Sequence, residues 1–201
     1  MKAVALVCTL SPSPKKSSSD LIARQVLAEL KNYDVEGTVI RVADYCIKHG
    51  VETDMGDGDD WPKIREQILE ADILLISTPI WLGHPASYTQ MVLERLDAEL
   101  SETDDQGRLT MYGKVGCVAV VGNEDGAHKV SADVIQGLTD VGFTIPAGGP
   151  TYWVGEAMQG VDYQDLKEIP EQTAGTNKTL AANAAHLAEL LKRTPYPASK
   201  G

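Results

Sequence analysis

Short, unbroken apolar runs alternate along this chain with longer stretches of helical period, and few architectures accommodate both. The runs are residues 3–8, 38–42, 73–77, 115–121 and the shorter 143–145. They are rich in Val, Ile and Leu and lack polar alternation, as strands covered on both faces do. Between them lie five helix candidates. Ser17-x-x-Asp20 opens residues 21–30 in the manner of a capping box. Pro62 stands near the start of 62–70, where its missing N–H costs nothing. Tyr88, Val92 and Leu96 share a face within 87–100. Ala127, Val130, Val134, Leu138 and Val141 recur at helical intervals, and Gly142 follows as a C-cap. Leu180, Ala184, Leu187 and Leu191 make one stripe within 173–192. This order predicts an α/β fold: a doubly wound, five-stranded parallel sheet with helices on both faces and right-handed crossovers. Residues 1–193 read as a single domain and 194–201 as a flexible tail. The acidic, glycine-bearing stretches 54–60 and 101–113 read as surface loops.

Composition narrows the function classes. The 201 residues carry a net charge of −11, a field that repels nucleic acid and anionic lipid. No apolar run approaches the roughly 20 residues of a membrane helix. Cys8, Cys46 and Cys117 are odd in number and scattered, which favours reduced thiols and a cytoplasmic location.

Ligands of open parallel sheets bind beyond the carboxyl ends of the strands. The first such loop, residues 9–19, has no glycine, which excludes both the dinucleotide turn and the triphosphate loop. It offers six hydroxyls ahead of a helix N-terminus, an arrangement that suits a single phosphate group. Lys15 and Lys16 either assist or simply face water. After the third run come Thr78-Pro79-Ile80-Trp81-Leu82-Gly83-His84. A large ring beside a glycine suits a flat aromatic ligand; alternatively Trp81 packs in the core or an interface. The third loop is Gly122-Asn123-Glu124-Asp125-Gly126-Ala127-His128. It either bonds the edge of a heterocycle or caps a helix through Asn123 or Asp125, and the two are compatible. Tyr152 and Trp153 either cap a ligand, one held by a neighbouring subunit included, or pack after the fifth strand.

These residues resemble the NADPH-dependent FMN reductase branch of the flavodoxin-like superfamily. Ser17-Ser18-Ser19-Asp20, Thr78-Pro79-Ile80-Trp81-Leu82-Gly83 and Gly122-Asn123-Glu124-Asp125-Gly126 are similar to its phosphate, isoalloxazine and third flavin loops. The resemblance implies that Thr9, Ser11, Ser17, Ser18 and Ser19 hold the phosphate. Pro79, Ile80, Trp81, Leu82 and Gly83 would line the ring, and Asn123, Glu124, Asp125, Gly126 and His128 its other edge. Many members carry an arginine in the phosphate loop, and here Lys15 or Lys16 would stand in for it. The implied function is an FMN-binding oxidoreductase that takes a hydride from NADPH or NADH to flavin N5. It would then reduce a quinone, a free flavin, a nitro compound or a partner protein, and work as a homodimer or larger oligomer. No catalytic side chain is required, because the flavin carries the chemistry. An acidic electron carrier of the flavodoxin type, without its own substrate, is the alternative. A flavin-free interaction module is a third. The isolated cysteines and the lone Cys46-x-x-His49 imply neither an iron–sulfur cluster nor another metal.

Overall fold

The computed structural model describes residues 1–156 and 160–198. Five parallel strands form the sheet: β1 Lys2–Val7, β2 Glu36–Arg41, β3 Ile73–Trp81, β5 Val115–Gly122 and β6 Pro150–Val154, in the order β2-β1-β3-β5-β6. A two-residue strand, β4 (His84–Pro85), turns back antiparallel on the end of β3. Alternate residues of each strand feed two separate cores. Val4 and Leu6 of β1, with Leu74 and Ile76 of β3, face α2 (Trp61–Glu70), α3 (Ser87–Leu96) and α4 (Ala127–Asp140). Ala3, Ala5 and Val7, with Leu75, face α1 (Ser18–Leu30) and α5 (Glu171–Arg193). A strand buried on both sides has no polar face, hence the unbroken apolar runs.

One strand lies elsewhere than expected. Residues 143–145 contribute only an isolated bridge from Thr144 to Val115, and the fifth strand is β6, beginning at Pro150. Phe143 instead closes the end of α4: its N–H bonds the Leu138 carbonyl past Gly142, which holds φ of 107°. That is the apolar contact of a glycine-terminated helix. β6 lies at the sheet edge, and four of its five residues retain solvent contact. Its mixed, aromatic sequence therefore lacks the signature of the buried strands. Tyr152 and Trp153 stand on this strand rather than after it.

The acidic stretch around 54–60 is more than a surface loop. Asp59 and Arg95 of α3 pair at 2.8 Å with both side chains fully buried. Arg95 also donates to the carbonyls of Lys48 (2.9 Å) and Glu52 (2.8 and 3.1 Å), and its guanidinium lies 5.4 Å from the Trp61 ring centre. Asp59 accepts backbone N–H bonds from Lys48, Met55 and Trp61. Burial raises its carboxyl, but these donors and Arg95 outweigh it and hold the group at about 2. Beyond α5, the Tyr196 ring centre lies 5.5 Å from that of Tyr112, and its hydroxyl is 3.0 Å from that of Thr144.

Removing one member of a buried pair strands the other charge, so Asp59→Asn should lower unfolding stability by about 3 kcal/mol at neutral pH. Because the folded carboxyl lies below its unfolded value of about 3.9, its contribution is complete above that pH and is lost as pH falls toward 2. Urea melts between pH 7 and 2 should show wild-type stability falling at the acid end and a shallower fall in the variant.

Candidate functional site

A cleft of about 380 Å3 opens beyond the carboxyl ends of β1, β3 and β5, within the size range of cofactor sites. One wall is the loop from Thr9 to α1. Its shape is imposed from outside rather than by glycine. Ser13 donates from its N–H (2.7 Å) and hydroxyl (2.6 Å) to the Asp44 carboxylate. The hydroxyl bond first, then the N–H, holds that carboxyl below its usual range. Arg41, at the end of β2, donates to the Lys15 carbonyl (2.6 Å) and lies 3.4 Å from Asp20. An arginine therefore does support this loop, but from behind it and from another strand. Ser17 caps α1, its hydroxyl accepting the Asp20 N–H at 3.3 Å. Ser77 of β3 donates to the Ser19 carbonyl at 2.7 Å, pinning the helix start to the sheet. Thr9, Ser11, Ser17, Ser18 and Ser19 all line the cleft, as do Lys15 and Lys16.

The opposite wall is the end of β3. Pro79, Ile80 and Trp81 line the cleft. Trp81 is 54% exposed, which removes the core as an explanation for it. Leu82 and Gly83 form the tip of the β3–β4 hairpin outside the cleft lining, with φ of 51° and 72°. The Leu82 N–H donates to Glu124 Oε1 (3.0 Å), so the tip is clasped to the third loop. A Cβ on Gly126 would meet the Gly83 Cα at 2.9 Å, so this closeness needs glycine.

From the third loop, Asn123 and Glu124 line the cleft, and Asp125, Gly126 and His128 do not. Asp125 accepts the N–H of Gly126 at 2.7 Å, and α4 has no side-chain cap. His128 turns to Tyr152, Nε2 lying 2.9 Å from the phenol oxygen. Sequence reasoning left Asp162, Tyr163 and Gln164 out of the site. Asp162 leads into a single 3-10 turn, Tyr163–Asp165, too short to carry a periodicity or motif. Trp153, one of two readings above, also lines the cleft, 5.3 Å from Tyr163 between ring centres.

A hydroxyl-lined helix N-terminus and two indoles lining one cleft suit a ligand with a phosphate, a polar spacer and a flat ring. The Gln164 Oε1 is shielded from solvent and has no hydrogen-bond partner. FMN has each of these parts. The thiols of Cys8 and Cys117, buried in the sheet, are pushed up to about 12 by burial.

Comparison with known proteins agrees with this geometry. The chain is 34% identical to 8-demethyl-8-aminoriboflavin-5'-phosphate synthase of Streptomyces davaonensis, over 98% of this chain and 80% of that protein. A crystal structure of RosB with bound intermediate OHC-RP (8-demethyl-8-formylriboflavin-5'-phosphate) matches with a TM-score of 0.88 and 32% identity, covering 98% of this chain and 82% of that one. The chain is also 31% identical to part of the divalent metal cation transporter MntH of Mycobacterium bovis; 96% of it aligns there, spanning 29% of that protein. Among the described residues no helix is long and apolar enough to cross a membrane. The sheet order and its solved neighbours make the fold flavodoxin-like. The family model for NADPH-dependent FMN reductase matches residues 1–159, and the chain belongs to that family.

Proposed function

We propose that this protein is an oxidoreductase that holds FMN in the cleft and reduces it with NADPH or NADH. One observation carries the reading: a glycine-free, hydroxyl-lined helix N-terminus shares a single cleft with Trp81 and Trp153. FMN bound there would supply the redox chemistry, a hydride site at N5 and electrons for a quinone, a free flavin, a nitro compound or a partner protein. The chain's own task is to bind and orient. Ser11, Ser17, Ser18 and the free N–H groups of α1 take the phosphate, with Thr9 and Ser19 packed beneath them. Asp44 and Arg41 keep the loop set, so less order has to be gained on binding. Trp81 and Ile80 flank the ring, and Asn123 and Glu124 meet its edge. Leu82, Gly83, Asp125, Gly126 and His128 act by shaping the hairpin tip and the α4 entry. The half-exposed Trp81 leaves a face on which nicotinamide can stack. A cytoplasmic homodimer accords with the acidic, cysteine-poor sequence and with exposed Leu10, Trp81 and Leu82 beside the cleft.

A second reading draws on the relative in S. davaonensis, whose name makes a modified flavin phosphate its product. In that case the cleft would hold flavin as substrate. The same residues would bind it, but the flavin would leave with a changed mass.

Anaerobic stopped-flow mixing of the FMN-loaded protein with NADPH or NADH should bleach the oxidised flavin bands. Mass spectrometry should then recover unaltered FMN after reoxidation. Absence of bleaching with FMN still bound favours the carrier, and an altered mass favours flavin as substrate. Trp81→Ala should raise the fluorescence of bound flavin, since a stacked indole quenches it; unchanged emission would take Trp81 away from the ring. Light scattering should return about twice 21.6 kDa at micromolar concentration, and a monomer mass would overturn the dimer.

A further inference from the structure

The family model matches residues 1–159, and Asp162, Tyr163 and Gln164, just past that span, line the cleft. They belong to one short strap that ties both ends of the site together. At the ring end, Asp162 Oδ1 accepts from Asn123 Nδ2 at 2.7 Å. In the middle, Tyr163 is buried against Trp153 and donates its hydroxyl to Gln25 of α1 at 2.5 Å. At the phosphate end, the Gln164 N–H donates to the Ser18 hydroxyl at 3.3 Å. Tyr163–Asp165 form a single 3-10 turn entered from Asp162, so these groups are presented to the cleft from one compact corner.

The donor count at Gln164 identifies what it meets. Its Oε1 is an acceptor, shielded from solvent and without a partner, and such an unmade bond is costly. A phosphate offers only acceptors at neutral pH, and the ring lies at the other end of the strap. The ribityl hydroxyls are the donors in between. The terminal amide torsion of a glutamine is soft, so the group can turn toward a donor entering the cleft.

We propose that Asp162–Gln164 form a further wall of the flavin site and that Gln164 is a specificity-determining residue accepting a hydrogen bond from a ribityl hydroxyl. The inference rests on the flavin reading above. It makes the protein selective for flavins that carry the sugar-alcohol chain, through a segment outside the family-matched region.

The test titrates wild type, Gln164→Leu and Gln164→Glu with FMN, riboflavin and lumiflavin, the last being the ring without its chain. Gln164→Leu should weaken FMN and riboflavin by about threefold to tenfold, one hydrogen bond's worth, and leave lumiflavin unchanged. Gln164→Glu keeps an acceptor, so riboflavin binding should persist while FMN weakens through repulsion beside the phosphate. Equal losses for lumiflavin and riboflavin, or no loss for riboflavin in the leucine variant, would overturn the role of Gln164. Loss of riboflavin binding in a folded Gln164→Glu protein, checked by thermal melting, would overturn it as well. A wild type that binds none of the three would overturn the flavin reading itself.

Discussion

The cleft depends on the register of three parallel strands. Val7 of β1 lies beside Ser77 of β3, Ser77 beside Ala119 of β5, and Pro79 beside Val121. This pairing ends β1 beside the middle of β3 and lets β3 and β5 run on together. The first loop therefore leaves the sheet low, while the ring loop rises past it as the facing wall. The Ser77 hydroxyl bond to the Ser19 carbonyl then fixes the first helix against that step. A slip of one residue would send each side chain of the slipped strand into the other core, where the packing is shaped for its neighbour. Both faces are covered, so such a slip has no tolerable alternative, and the geometry of the site inherits that rigidity.

How much of this was legible beforehand follows from where each signal resides. The runs of β1, β3 and β5 are read directly because burial on both faces leaves a continuous apolar record, and β2, an edge strand with only Ile40 buried, is read from the short apolar run at its end. β6 escapes that rule, since an edge strand need satisfy only one apolar neighbour, and the compact run at 143–145 took its place although it serves to close a helix. The hydroxyls of the first loop and the indole of the second are local features of the chain and were legible. Ten of the fifteen anticipated site residues line the cleft, and the five that do not are the hairpin tip and helix entry that brace it. The strap was not legible. Asp162, Tyr163 and Gln164 have no pattern of their own and acquire a place only through Asn123, Gln25 and Ser18, which lie 39 to 146 residues away in sequence.

The first loop also shows how a chain can shape an anion-binding turn without glycine. A glycine-rich loop reaches its ligand through backbone conformations other residues avoid. Here the loop carries prolines and serines, and its course is set by Asp44 and Arg41, which belong to the next strand and the turn after it. Loop shape is thereby coupled to the sheet edge. The same economy of support operates on the other side, where the buried Asp59–Arg95 pair gathers a long acidic connection against α3.

The placement of the thiols bears on durability. A reduced flavin that meets dioxygen yields peroxide, and peroxide attacks thiolates in preference to protonated sulfur. Cys8 sits where β1 gives way to the first loop, and Cys117 lies in β5, on the far side of β3. Both are sealed in the interior with their protons retained up to about 12. Only Cys46, in the connection between β2 and α2, meets solvent. The sheet that positions the cofactor also keeps the neighbouring sulfur out of reach of its by-product, so oxidative wear on this chain falls on a side chain outside the cleft.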